Sequence, residues 1–270
     1  MEILTSNSAF NTIDGEFQYV NRLLVVCQDN KLYTAKWPDR FNDPTDFSQL
    51  SDPQRIETED RGPEIQKEWT RAPVELTASE DVYVKKPSLV RLATEDLEYP
   101  IRREIEALEI LRKHPHPNIG VYHGYLEARG RVTGLCLERY KATLYERVDP
   151  GHLKKNAFRK SGRELVDEEI KASLDGILAG IKHLHSLGLV HNDITPSNIM
   201  YDEDGAVVLV DFDSCRRIGE DLRETNAGRT FEWHDESVET SLVENDLDAF
   251  AEIKTWLVGS SDDEFVFKRQ

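Results

Sequence analysis

Three cysteines are all that the 270 residues contain, and Cys27, Cys136 and Cys215 form no CxxC pair. A disulfide framework or a thiolate zinc site is therefore not expected; the reading is of reduced thiols in a cytoplasmic setting, with the nucleus as the alternative. Long apolar runs are missing as well: no stretch approaches the roughly 20 residues that a membrane-crossing helix needs. The opening Met1-Glu2-Ile3-Leu4-Thr5 is acidic and polar, unlike a secretory signal peptide. Cations are outnumbered, with 34 Lys and Arg against 51 Asp and Glu, a formal net charge of −17. Such a surface repels nucleic acid and anionic membranes, so neither is an expected partner. Internal repeats and low-complexity tracts are absent too.

What is present suffices for a core. Hydrophobic residues make up 39% of the chain, enough for one large domain or two small lobes. Residues 16–36 read as a strand pair around the turn signal Asp29-Asn30. Residues 38–66, acidic and punctuated by Pro38, Pro44, Pro53 and Pro63, read as a mobile loop. Strands are expected at 74–77 and 82–85, and a helix over 99–113, where Ile101, Ile105, Leu108 and Leu111 share a face and His114-Pro115 ends it. A hairpin fits 121–126 and 132–137. A longer helix fits 167–187, stopped by Gly188. Short strands at 198–201 and 206–210 flank the Asp204-Gly205 turn, and a last helix runs over 245–257. The order describes an α+β chain, β-rich first and α-rich later.

The strongest chemical signal is His191-Asn192-Asp193-Ile194-Thr195-Pro196-Ser197-Asn198 followed by Val210-Asp211-Phe212-Asp213. Phosphoryl transfer needs little covalent help but demands positioning and charge neutralisation. One carboxylate can orient an attacking hydroxyl, while an amide and a second carboxylate hold Mg²⁺, which prefers oxygen ligands, against the phosphates. Asp and Asn are also common turn residues, but the helix, loop and strands around them favour the chemical reading. The segment resembles the catalytic loop and metal motif of the protein kinase superfamily, and the resemblance runs over roughly residues 74–258. With Val82-Tyr83-Val84-Lys85-Lys86-Pro87 and His114-Pro115-His116-Pro117-Asn118-Ile119, the chain is similar to a fungal group of compact protein-kinase-like sequences.

That resemblance implies a bilobal protein-kinase-like fold: an extension over 1–70 with a hairpin and the acidic loop, a small lobe over 71–138, and a shortened helical lobe over 139–270. It implies ATP and Mg²⁺ as cofactors and a protein substrate. Asp193 would be the catalytic aspartate, and Asn198 and Asp211 the metal ligands. Lys85, at the end of a strand, would grip the phosphates, paired with Glu104 from Arg103-Glu104-Ile105-Glu106-Ala107-Leu108. Lys86 and Glu106 are the rivals, because strand side chains alternate faces and a helix turns away within two residues. Leu137 would form the wall behind the base, and Glu138 and Tyr140 would offer it backbone groups; a plain buried strand would read the same. Gly228-Arg229-Thr230-Phe231-Glu232-Trp233 resembles the substrate-side segment, and Asp246 the buried anchor of the catalytic loop, although Asn245 or Asp246 would also serve as a helix N-cap.

The chain departs from the family pattern in four places. No glycine lies between Gly62 and Gly120, so no Gly-rich loop is recognisable. Asn192 stands where an arginine usually clamps a phosphorylated loop, so phosphorylation of Thr225 or Thr230 is expected to matter little. Thr195 replaces a lysine common in Ser/Thr-directed kinases. Asp213 replaces the glycine of the metal motif, and Asp tolerates left-handed backbone better than most residues. Three readings follow: a phosphotransferase acting on Ser/Thr of proteins, a pseudokinase that binds nucleotide or scaffolds partners, and a small-molecule kinase of aminoglycoside or choline type.

Overall fold

The computed structural model describes residues 1–13, 16–57, 61–94, 97–223, 228–260 and 263–267. The chain forms two compact units. One comprises Met1–Ile65, Lys86–Tyr99 and Glu127–Gly134, the other Gln66–Lys85, Pro100–Leu126 and Leu135–Gln270.

The first unit is built on an antiparallel sheet of β1 (Glu2–Ile13), β2 (Glu16–Gln28), β3 (Lys31–Trp37) and β4 (Ser51–Arg55), in sequence order. Asp29 and Asn30 both adopt positive φ, 51° and 58°, the geometry that lets a two-residue turn follow the strand twist. One face buries Leu24, Val26, Ala35 and Leu50. Within the run expected to be a loop, Asp46 and Gln49 cap a short 3-10 turn over Phe47–Gln49. The following β4 pairs with β3 and tolerates Pro53 because it is an edge strand. A short helix, α1 (Leu89–Thr94), belongs to the same unit.

In the second unit, residues 74–77 do not extend as expected. Val74–Ala78 winds into a 3-10 turn in which Leu76 N–H donates to Pro73 O and Ser79 N–H to Leu76 O. The strand β5 (Val82–Lys85) follows, then α2 (Glu98–Lys113), whose Ile105, Leu108 and Leu111 are buried on one face. Strands β6 (Tyr122–Ala128) and β7 (Arg131–Glu138), apart from their residues within Glu127–Gly134, also belong to this unit, and the sheet order is β5-β7-β6. Beneath it lie Ala72, Val82 and Cys136.

The rest is mostly helical. Two short helices, α3 (Leu144–Val148) and α4 (Lys155–Lys160), precede α5 (Glu168–Ser186). Asp167 caps α5 by accepting from Ile170 N–H at 2.9 Å, and Gly188 turns the chain out of the helix at φ 74°. Short strands β8 (Leu189–Val190), β9 (Ile199–Tyr201), β10 (Val207–Leu209) and β11 (Arg216–Arg217) pair as β9–β10 and β8–β11. In the last helix, α6 (Val243–Val258), the N-cap position falls to Leu242, whose side chain makes no capping hydrogen bond, and not to Asn245 or Asp246. Its Trp256 stacks on Phe158 of α4 at 4.2 Å. Among the described residues no helix is long and apolar enough to cross a membrane. Burial raises the pKa of the Cys136 and Cys215 thiols, which suits core filling better than reactivity.

Candidate active site

The loop between β8 and β9 is held by a single buried carboxylate. Asp246, fully enclosed in α6, accepts backbone N–H from His191 at 2.9 Å and from Asn192 at 2.8 Å, and lies 2.9 Å from His185 Nε2. His191 Nε2 lies 3.0 Å from Val210 O. A carbonyl only accepts, so Nε2 carries the proton and Nδ1 is free to receive Asp193 N–H, 3.3 Å away. Asn192, left-handed at φ 64°, donates its amide to Val190 O, Ser214 O and Ser241 Oγ. Neutral hydrogen bonds thus occupy the position where the family pattern puts an arginine.

Asp193 faces outward from this frame. Asn198 Nδ2 donates to its carboxylate at 2.8 Å and to its carbonyl at 2.9 Å. Thr230 closes the other side, N–H to Oδ1 at 2.7 Å and hydroxyl to Oδ2 at 3.1 Å. Burial lifts the Asp193 pKa above the ordinary aspartate value, against the hydrogen bonds from Thr230 and Asn198 that favour the charged form. The Thr230 contact was hidden in the sequence: 37 positions separate the partners, and only the Gly228–Trp233 resemblance hinted at it.

On the other side, Lys85 Nζ lies 2.7 Å from Glu104 Oε1 and 2.5 Å from Asp211 Oδ1. Burial alone would lower the ammonium's pKa. The carboxylates of Glu104, Asp211 and Asp213 together outweigh it, so Lys85 is held well above its ordinary value and stays charged. Burial raises the Glu104 carboxyl, and Lys85 opposes that rise. Of the rival residues, Lys86 is exposed and Glu106 faces away, pairing with Arg103 at 3.4 Å. Among the described residues of the metal motif, the left-handed one is Asp211, at φ 64°, and not Asp213; the turn that aims the carboxylate falls at the aspartate itself.

These groups share one cavity of about 360 Å³, within the usual range for ligand sites. Lys85, Glu104, Asn198 and Asp211 line it, and Leu137, Glu138 and Tyr140 line it as well. Glu138 N–H is already spent on Val121 O at 2.9 Å, and its carboxylate lies 2.9 Å from His123 Nε2. The Tyr140 hydroxyl accepts from Val121 N–H at 3.0 Å, so its ring forms part of the wall beside Gly120, a role its backbone-only expectation did not include. Asp193 does not line this cavity; it is joined to it through Asn198.

The available metal donors are oxygens: the Asp211 carboxylate and the Asn198 carbonyl oxygen, whose amide nitrogen is already committed to Asp193. Among the described residues no group of three or more His, Cys, Asp or Glu could hold a metal alone. Mg²⁺ fits such a sparse, all-oxygen set, because it commonly keeps waters and takes further ligands from substrate phosphates.

A profile of the protein kinase domain matches residues 74–251, well over half of the chain. Sperm motility kinase 3A of Mus musculus is 33% identical over 116 residues, 43% of this chain and 21% of that protein. Mitogen-activated protein kinase kinase kinase 1a of Physcomitrium patens is 36% identical over 121 residues, 44% of this chain and 14% of that protein. CBL-interacting serine/threonine-protein kinase 20 of Arabidopsis thaliana is 27% identical over 138 residues, 51% of this chain and 28% of that protein. The chain thus matches less than a third of the length of each of these relatives. Its β-sheet region followed by a helical part is the α+β, bilobal protein-kinase-like fold. By the extent of that match, this chain belongs to the protein kinase domain family.

Proposed function

We propose that the chain is a phosphotransferase of protein kinase type that transfers the γ-phosphoryl group of ATP to Ser and Thr hydroxyls of proteins. The observation that carries this reading is the ion triad of Lys85, Glu104 and Asp211 lining the same cavity as Asn198, which holds Asp193. Lys85, kept charged and oriented by Glu104, binds the phosphates and offsets part of the −17 net charge. Leu137 and Tyr140 wall the base. Asn198 and Asp211 hold Mg²⁺, which when bound neutralises charge on the phosphates. Asp193 accepts a hydrogen bond from the acceptor hydroxyl and aims it in line. That an aliphatic hydroxyl suits this carboxylate is supported by Thr230, whose own hydroxyl rests on Asp193 Oδ2 at 3.1 Å. Three of the relatives are Arabidopsis proteins whose names include "serine/threonine-protein kinase", which favours the same acceptor class.

Two observations favour a second reading, a pseudokinase that binds nucleotide or scaffolds partners. Lys85 ends a four-residue strand at the edge of a three-stranded sheet, and no glycine between 62 and 120 supplies a phosphate-covering loop. Two measurements separate the readings. Mg²⁺-ATP should raise the melting temperature of the wild type and not of Asp211→Asn. Labelled γ-phosphate should pass to a generic Ser/Thr-bearing protein and not to a panel of small alcohols. A thermal shift without transfer supports the scaffold; transfer to the alcohols supports a small-molecule kinase.

A further inference from the structure

Arg103 immediately precedes Glu104 in α2, and its guanidinium forms an ion pair with the carboxylate of Glu220. Both side chains are largely withdrawn from solvent, at 20% and 28% exposure, so the pair is screened less than a surface one. Neither residue lines the cavity. The segment that presents Glu220 is firmly stitched in place. Before it, β11 pairs with β8, and Ile218 N–H donates to Gly188 O at 3.0 Å. Around it, Gly219 N–H donates to Ser241 O at 2.7 Å, Ser241 N–H to Glu220 O at 2.8 Å and Leu222 N–H to Glu239 O at 2.8 Å.

Ser241 is also where this ladder meets the catalytic loop, since its hydroxyl accepts from Asn192 Nδ2 at 3.0 Å. Asn245 joins the same knot, donating to Asn192 Oδ1 at 2.9 Å and to Thr240 O at 2.9 Å. A continuous chain of contacts therefore runs from Lys85 and Glu104 through Arg103, Glu220 and Ser241 to Asn192, the neighbour of Asp193. Where a phosphate would supply negative charge to an arginine, Glu220 supplies it permanently.

We propose that Arg103 and Glu220 are positioning residues. Their ion pair fixes α2 so that Glu104 stays on Lys85, and the site is held assembled without a phosphorylation switch. This inference rests on the proposed phosphotransferase reading and names how its nucleotide side is kept in register.

The test uses the full chain and four variants: Glu220→Gln, Arg103→Ala, Arg103→Lys, and the exchange Arg103→Glu with Glu220→Arg. Initial rates are measured against ATP concentration with a generic protein acceptor, and backbone amide hydrogen exchange is followed over residues 103–109. Glu220→Gln and Arg103→Ala should raise KM for ATP by about tenfold and speed amide exchange in α2, while kcat falls by less than about threefold. Arg103→Lys and the exchanged pair should recover most of the loss. A merely structural contact would lower the melting temperature without this split between KM and kcat. Phosphatase treatment should leave the wild type unchanged.

The inference is overturned if both single variants keep the wild-type KM and exchange rates, if the exchanged pair is no better than the worse single variant, or if phosphatase abolishes wild-type activity. Absence of any transfer by the wild type would instead sink the phosphotransferase reading. In that event the α2 exchange rates still decide whether Glu220 holds Arg103.

Discussion

The two halves of this site, proposed above to face the acceptor and the nucleotide, are held by different physics. Around His191–Asn198, buried side chains and backbone groups converge on fixed partners: Asp246 receives two backbone N–H groups, His191 bridges Val210 O and Asp193 N–H, and Asn198 fastens Asp193. Lys85 is different. It sits at the end of β5, which pairs with β7 on one edge, and its head group is fixed by charge, between Glu104 and Asp211. A loop held by this many buried hydrogen bonds is rigid and intolerant of substitution. A charged strand end is adjustable, and it depends on whatever holds α2 in register. The acceptor geometry is therefore expected to be fixed by the fold, whereas the nucleotide geometry is expected to respond to charge.

Substitutions that strike one side only should separate the two. The largest effect is expected from Asp246→Ala, which leaves the N–H groups of His191 and Asn192 buried without their acceptor. A stability loss of roughly 3 kcal/mol, read by urea unfolding, should accompany a fall in transfer. Next comes Lys85→Met, which should raise KM for ATP by about tenfold or more with folding intact, while Lys86→Met stays within about twofold of the wild type. Equal effects from the two lysines would erase the distinction drawn here. In the pH profile, comparison with Asp193→Ala isolates the acceptor side, because burial raises the Glu104 carboxyl as well. Burial raises the Asp193 pKa, so its charged form prevails only above that raised value. Activity should fall on acidification at a pH higher than an ordinary aspartate would give, and Asp193→Ala should lack that limb. Smallest is Ser241→Ala, where loss of one buried acceptor for Asn192 should cost about 1 kcal/mol.

Asp193, Asn198 and Asp211 stand out in the sequence because phosphoryl transfer, the proposed chemistry, restricts residue types at short spacing, and the periodicity of α2 and α5 places helices beside them. Other elements leave little trace in the sequence, for physical reasons. Val74–Thr77 reads as a strand in the sequence because Val and Thr favour extended backbone, yet Pro73 and the Thr77 hydroxyl, which donates to Val74 O at 2.8 Å, stabilise a tight turn. Strand β1 is not legible because Thr5-Ser6-Asn7-Ser8 carries little apolar alternation, and β4 is not because an edge strand of Ser51-Asp52-Pro53-Gln54-Arg55 is almost wholly polar. Helices α3 and α4 span five and six residues, too few for a helical period to register. Arg103 and Glu220 lie 117 positions apart; no local pattern joins them.

The most direct test is the initial rate of labelled γ-phosphate incorporation into a generic protein at saturating Mg²⁺-ATP, measured side by side for the wild type and Asp193→Ala. The account predicts measurable transfer by the wild type and a fall of about 100- to 10,000-fold in the variant. Equal rates from the two proteins, or none from a wild type that still binds nucleotide, would contradict it.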